Sequence, residues 1–320
     1  MQHRLLTPLL IALAAAPAAT QEAAAPPAAP ATAAAEEAGG TLALGELASR
    51  MTVPVSINGS KPQPFVIDTG AERSVVSRQL AGTLGLSPGP QVTLTTMTGS
   101  TKVQTVVVPS LTMGPVRDGR PFNAPALEAA HMGAHGLLGI QQLRTHMVSI
   151  DFDKQQMAVR ASRRAGGRPT PRPPFTDEIV IIAKSRMGQL IVTEATFEGT
   201  KVTVVLDTGS QVSLGNLALQ RKLRRVRLKG PITLTSVTGE TLTANYHVAH
   251  RVELGGIVLR ELPVAFADVP PFARFDLADT PALMLGMDAL RAFRRVEIDF
   301  PDRKVRFLLP RVGVTGTRLG

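Results

Sequence analysis

The sequence predicts a mainly β protein of two similar lobes with short helices, and three observations predict it. A set of landmarks occurs twice in the same order along the 320 residues. Between them lie short β-branched runs bounded by Gly or Pro, which read as strands. Helical patterning is brief wherever it occurs, reaching about two turns at most.

The duplication organises the chain. Val53-Pro-Val-Ser-Ile-Asn-Gly59 followed by Phe65-Val-Ile-Asp68-Thr69-Gly70 recurs as Val192-Thr-Glu-Ala-Thr-Phe-Glu-Gly199 followed by Val204-Val-Leu-Asp207-Thr208-Gly209. The two Asp-Thr-Gly triplets are 139 residues apart. Thr93-Leu-Thr-Thr-Met-Thr98-Gly99 returns 140 residues later as Thr233-Leu-Thr-Ser-Val-Thr238-Gly239. Leu137-Leu138-Gly139 returns at an offset of 147 as Met284-Leu285-Gly286, and Ile150-Asp151-Phe152 at 148 as Ile298-Asp299-Phe300. Offsets that drift upward in register are what a duplication leaves when its loops lengthen.

Strands are expected over Val53–Ile57, Phe65–Ile67, Gln91–Met97 and Val103–Val108. Gly99-Ser100 and Gly239-Glu240 lie between Thr-rich strands and are expected at hairpin tips. Short helices are expected over Arg78–Leu84, Ile140–His146, Leu217–Leu223 and Met287–Phe293. The resulting organisation is an N-terminal lobe over residues 46–160, a connector over 161–176, a second lobe over 177–310 and a tail over 311–320.

The N-terminus reads as an export signal over residues 1–20. Arg4 precedes a largely apolar run from Leu5 to Ala16, and Ala16-Pro17-Ala18 gives a small-x-small cleavage pattern. The run is short of the roughly twenty residues a spanning helix needs, and an uncleaved anchor is the alternative. The chain is thus expected in a periplasm or outside the cell, without stable membrane insertion once the signal is removed. Residues 21–45, nearly all Ala, Pro, Glu and Gly at first, form an expected disordered tether. With no Cys, neither a disulfide framework nor a sulfur-linked lipid is available.

Hydrophobic residues make up 44% and charged residues 19%, a globular balance. There is no Trp and a single Tyr, Tyr246, so the core must rest on Val, Leu, Ile and Ala. The net charge of +10 raises nucleic acid or an anionic surface as partners. The basic residues collect in the connector (Arg163, Arg164, Arg168, Arg172) and after one expected helix (Arg221, Lys222, Arg224, Arg225, Arg227, Lys229). Without interleaved aromatics or a nucleic-acid motif these read as solvated basic faces, and no nucleic-acid partner is expected.

The chemistry is carried by the triplets. Each Asp ends an apolar strand, Phe-Val-Ile or Val-Val-Leu, and is followed by a small residue, Ala71 or Ser210. Two carboxyls about 3 Å apart cannot both ionise, so they share one proton and titrate in separate steps. Such a pair activates water with one member and protonates a leaving amine with the other. Gly70 and Gly209, lacking Cβ, allow the two loops to approach closely. The hydroxyls of Thr69 and Thr208 can hold the loops rigid through backbone hydrogen bonds. This chemistry calls for no cofactor and no metal.

On these motifs the chain, from about Leu47 to Leu309, resembles the aspartic peptidases, specifically a single-chain, two-lobed bacterial relative of the retropepsin-like family. The resemblance implies two pseudo-symmetric β-barrel lobes with the active site at their interface. It implies that Asp68 and Asp207 are catalytic and that Thr69 and Thr208 interlock the loops. Gly139 and Gly286 would brace each loop from an apolar-apolar-Gly turn. Hairpins carrying Thr98, Gly99, Thr238 and Gly239 would be flaps over an extended peptide. Glu72 and Gln211 stand where retroviral members carry an acidic residue that meets substrate backbone, and their difference suggests unequal subsites. The first flap lacks the Tyr of pepsin-like members. With both lobes in one chain, a monomer acting on peptide or protein substrates is expected.

Rival chemistries are weak. His131 and His135, four apart, have metal-ligand spacing, but Met-Gly-Ala between them reads as a loop with incidental histidines. His247 and His250, three apart on a strand, should face opposite ways. Ser74, Ser77 and Ser213 lack a nucleophile-elbow setting. The remaining rivals are a catalytically inactive peptide- or polymer-binding protein on the same fold, and an adhesin driven by the basic surface.

Overall fold

The structure is a computed structural model that describes residues 51–162, 178–186, 188–223 and 227–310. The expected signal, the tether, nearly all of the connector with its four arginines, Arg224 and Arg225, and the C-terminal tail lie outside the described residues.

The first lobe runs β1 (Thr52–Ile57), β2 (Gln63–Ile67), β3 (Val75–Ser77), α1 (Arg78–Thr83), β4 (Pro88–Thr96), β5 (Gly99–Val108), β6 (Leu111–Met113), β7 (Val116–Asp118), β8 (Phe122–Leu127), α2 (Ala129–Met132), β9 (Gly136–Leu138) and α3 (Ile140–Leu143). Next come β10 (His146–Asp151), β11 (Gln156–Ala161), β12 (Glu178–Ile182) and β13 (Lys184–Arg186). The second lobe runs β14 (Gln189–Phe197), β15 (Thr200–Leu206), β16 (Ser213–Gly215), α4 (Leu217–Lys222), β17 (Lys229–Thr235), β18 (Thr241–Ala249), β19 (Val252–Leu254), β20 (Ile257–Leu259), β21 (Leu262–Phe266), α5 (Pro270–Arg274), β22 (Ala282–Leu285) and α6 (Met287–Leu290). The chain then adds β23 (Arg295–Asp299) and β24 (Lys304–Leu308).

The fold is mainly β with two repeated lobes. Strand order in the first lobe is β4-β5-β8-β3-β9-β2-β1-β6-β7, and in the second β17-β18-β21-β16-β22-β15-β14-β19-β20. Each strand in these two orders has its counterpart at the same place, and the second sheet carries an additional strand, β13, paired with β14. The likeness extends to the turns: Asn58-Gly59 and Glu198-Gly199 both take positive φ, at 49° and 74° and at 49° and 76°. Consecutive left-handed residues suit the twist of a tight hairpin, and the glycine takes that conformation without strain.

A five-stranded sheet, β11-β10-β23-β24-β12, joins the halves. Strands β10 and β23, which carry the repeated Ile-Asp-Phe landmarks, pair antiparallel with Val148 opposite Ile298, Ser149 opposite Glu297 and Ile150 opposite Val296. Equivalent residues therefore meet at Ser149 and Glu297, where the pseudo-twofold axis crosses the sheet. Val148, Ile150, Val296, Ile298, Val305 and Phe307 are all buried, and they belong to one apolar cluster that continues into both lobes. Val, Ile, Leu and Ala make up most of it, as the scarcity of aromatics requires.

Some expected elements differ. The helix expected over Ile140–His146 stops at Leu143, because His146 already pairs with Ala161 at the start of β10. That expected over Met287–Phe293 stops at Leu290, and Arg294 N–H donates to the Leu308 carbonyl instead. The glycines are not the hairpin apices. Thr96 pairs with Gly99, so Met97-Thr98 forms the first tip, and Val237-Thr238 forms the second. Gly99 and Gly239, with φ of 146° and 90°, lead the chain out of each turn. His131 lies on the four-residue helix α2, not in a loop. Among the described residues no helix is long and apolar enough to cross a membrane.

Phe307 on β24 is fully buried, its ring centroid 4.7 Å from that of Phe293. Truncating it removes packing from the sheet that both lobes share. Phe307→Ala is expected to lower the unfolding free energy by about 3–5 kcal/mol, read as a fall in the urea midpoint followed by circular dichroism.

Candidate active site

Strands β2 and β15 carry the two Asp residues to the lobe interface. Each strand is flanked by a parallel neighbour, β9 or β22. The Asp68 N–H donates to the Leu138 carbonyl at 2.9 Å, and the Asp207 N–H to the Leu285 carbonyl at 3.0 Å. Both strand ends are thereby fixed before the loops begin.

The two loops lock reciprocally. Thr69 N–H donates to Thr208 Oγ1 at 3.1 Å, and Thr208 N–H to Thr69 Oγ1 at 3.0 Å. Each hydroxyl then crosses the interface: Thr69 Oγ1 donates to the Leu206 carbonyl at 2.8 Å and Thr208 Oγ1 to the Ile67 carbonyl at 2.7 Å. Both threonines are nearly inaccessible, at 2% and 1% exposure. Only a hydroxyl both accepts and donates in this way, so Val, of the same shape, would leave buried groups unpaired.

The carboxyls sit within this lock. Asp68 Oδ1 accepts from the N–H groups of Gly70 at 2.9 Å and Ala71 at 2.8 Å. Asp207 Oδ1 accepts from Gly209 at 3.0 Å and Ser210 at 3.2 Å. A Cβ placed on Gly70 would lie 2.7 Å from Asp207 Cγ, and one on Gly209 would lie 2.2 Å from Asp68 Cγ. Each carboxyl therefore rests against the glycine of the opposite triplet, the close approach for which the missing Cβ was expected.

Gly139 and Gly286 each stand at a turn that packs on the Asp loop of its own lobe. Gly139 N–H donates to Ser74 Oγ at 3.0 Å, and the next two N–H groups bind the carbonyls of Ala71 and Glu72. Gly286 N–H donates to Ser213 Oγ at 3.1 Å, followed by Met287 and Asp288 to Ser210 and Gln211. A Cβ at either glycine would lie 2.5 Å from the Arg73 backbone or 2.8 Å from that of Val212. Beneath these turns the lobes differ. Ser74 Oγ donates to the neutral Gln142 Oε1, whereas Ser213 donates through both N–H and Oγ to the Asp288 carboxylate. Burial pushes the Asp288 carboxyl above its ordinary range, and the Ser213 donors pull the other way.

The hairpins cross over the site. Thr98 Oγ1 of one donates to Glu240 of the other at 2.6 Å. Met97 packs against the second lobe's apolar cluster around Phe272 and Phe275, and Val237 against the first lobe's around Met132. Gly239 lies against the His131 ring, where a Cβ would come within 2.3 Å of Cε1. Beneath them is a cleft of about 1040 Å³ walled by both Asp loops, both hairpins and the ends of α2 and α5.

Of the residues expected to meet substrate, Glu72 and Gln211 both line this cleft. Glu72 is paired with Arg274 of the opposite lobe, while Gln211 Oε1 is buried without a hydrogen-bond partner among the described residues. Sequence reading missed Arg274, His131 and Gln189 as cleft residues. Gln189 Nε2 donates to the Gly70 carbonyl at 3.0 Å. Among the described residues, no group of three or more His, Asp or Glu is arranged to hold a metal. His247 is buried and His250 exposed against Glu261.

Asp288 generates a pH prediction. Between the ordinary carboxylate range and its raised value, the folded protein binds this proton more tightly than the unfolded chain does. Stability therefore falls as pH rises through that window. Asp288→Asn removes the titration, so its stability relative to wild type is expected to increase from about pH 4 to about pH 7, checked by urea unfolding at both.

The chain matches the model of the family described as Aspartyl protease over residues 53–141 and 193–289, one span in each lobe. No curated protein matches it. The matched spans together cover more than half of the chain and contain both Asp-Thr-Gly loops with their bracing glycines. Two interlocked triplets in a duplicated β fold, matched by that model in each half, establish that the chain belongs to the aspartyl protease family.

Proposed function

We propose that the protein is an aspartic endopeptidase in which Asp68 and Asp207 form the catalytic dyad. The observation that carries this reading is the mutual seating of the two carboxyls, each against the other loop's glycine, within the Thr69–Thr208 lock. The rigidity matters because a dyad that shares one proton has little positional tolerance.

The ionised carboxylate removes a proton from a water, whose oxygen attacks the scissile carbonyl carbon while the protonated partner donates to the carbonyl oxygen. The resulting diol collapses as the carboxyl that took the water's proton gives it to the amine nitrogen, the C–N bond breaks, and the other carboxylate takes a hydroxyl proton from the diol. The products are a carboxylic acid and an amine, and the dyad again holds one proton. Thr69, Thr208, Gly70, Gly209, Gly139 and Gly286 hold the loops. The hairpins carrying Thr98, Gly99, Thr238 and Gly239 close over the substrate and exclude water.

The substrate is an extended segment of protein, for which a cleft spanning both lobes is suited. The unequal residues of the cleft wall, an ion pair at Glu72 and a neutral amide at Gln211, support different preferences on the two sides of the cut. The N-terminal signal supports action in a periplasm or outside the cell, and the presence of both lobes in one chain supports a self-sufficient monomer.

Purified protein incubated with a peptide library, followed by mapping of new termini by mass spectrometry, is expected to show internal cuts. Asp68→Asn and Asp207→Asn are each expected to abolish them while leaving the circular dichroism unchanged. An active Asn variant at either position would exclude the dyad. Because one carboxyl must be protonated and the other ionised, the rate should pass through a maximum on the acid side. A rate still rising above about pH 9 would be incompatible with a shared proton.

A further inference from the structure

Gln189 opens β14 and is 2% exposed, yet it stands in the wall of the cleft. From the second lobe its Nε2 donates to the Gly70 carbonyl, within the loop whose N–H groups hold Asp68. A carbonyl requires a donor, so this contact fixes which way the amide faces. The Oε1 is then left buried with no hydrogen-bond partner among the described residues.

A buried acceptor without a donor is costly and calls for a physical explanation. Here the explanation lies in the cleft. A neutral amide oxygen suits a neutral N–H donor, whereas a cationic donor is matched better by a carboxylate. In an extended peptide, such donors are supplied by the main chain.

Building on the peptidase reading, we infer that Gln189 is both a positioning and a substrate-contact residue: Nε2 holds the Asp68 loop while Oε1 accepts a main-chain N–H from a bound peptide. A donor on Oε1 polarises the amide and strengthens the bond from Nε2 to Gly70. Filling the cleft thereby tightens the loop that carries Asp68.

The test uses one peptide that wild-type protein cuts, methylated at one backbone nitrogen at a time, with binding followed by fluorescence anisotropy to the full-length Asp207→Asn protein. One methylation is expected to weaken binding about tenfold by removing the donor. In Gln189→Met/Asp207→Asn the same methylation should cost less than about twofold, because the acceptor is gone. Penalties that are the same in both proteins at every position would overturn the inference, with the peptidase reading intact. If wild type neither binds nor cuts any peptide, both fall together.

Gln189→Glu, which keeps an acceptor, covers the case in which the Met variant does not fold. Its carboxylate cannot donate to Gly70, so kcat should fall at neutral pH with little change in KM. Acid should restore kcat relative to wild type as the side chain regains a proton to donate. A loss of kcat that no pH restores would overturn the positioning role.

Discussion

The reciprocal bonds between Thr69 and Thr208 are the constraint on which the rest of the structure depends. Each hydroxyl accepts from the opposite backbone and donates to the carbonyl of the strand that delivers the opposite Asp. Neither loop can therefore shift without dragging the other. The strand ends, the bracing turns at Gly139 and Gly286 and the shared sheet all serve to bring two hydroxyls to this point. In a buried setting the bonds are strengthened by the low local dielectric, and breaking any one strands a polar group.

Around this symmetric centre the duplication has diverged chemically while its backbone has not. The strand orders coincide throughout, yet the turn beneath Asp68 rests on an amide, Gln142, and that beneath Asp207 on a carboxylate, Asp288. In the cleft wall Glu72 is paired with Arg274, while Gln211 Oε1 has no hydrogen-bond partner among the described residues. The hairpins are unequal too, one tip packing on phenylalanines and the other touching His131 through Gly239. A twofold scaffold supplies two equivalent carboxyls, and these substitutions make their surroundings inequivalent.

Much of this was legible because it is local or repeated. The strands ending in Asp, the glycines permitting close approach and the bracing turns each follow from a few adjacent residues that occur twice. What escaped notice depends on contacts between lobes. Nothing near Gln189 in the chain names Gly70 as its partner, and Arg274 meets Glu72 across some two hundred residues. His131 read as incidental because its helix spans four residues, too few for a periodic pattern. Helix α5 did offer a signal, Pro270 and Pro271 at its start, since proline is favoured in the first helical turn. The hairpin apices were misplaced by two residues because glycine was read as the apex rather than as the way out of the turn.

The joining sheet has a consequence for the halves as separate molecules. Because β10 and β23 meet about Ser149 and Glu297, each strand presents an edge whose register is complementary to itself. A severed first half would set serine opposite serine, a pairing that a strand edge accepts. A severed second half would set one glutamate directly against another, and like charges in that position repel. The same seam that closes the intact chain thus favours self-association of one fragment and opposes it in the other.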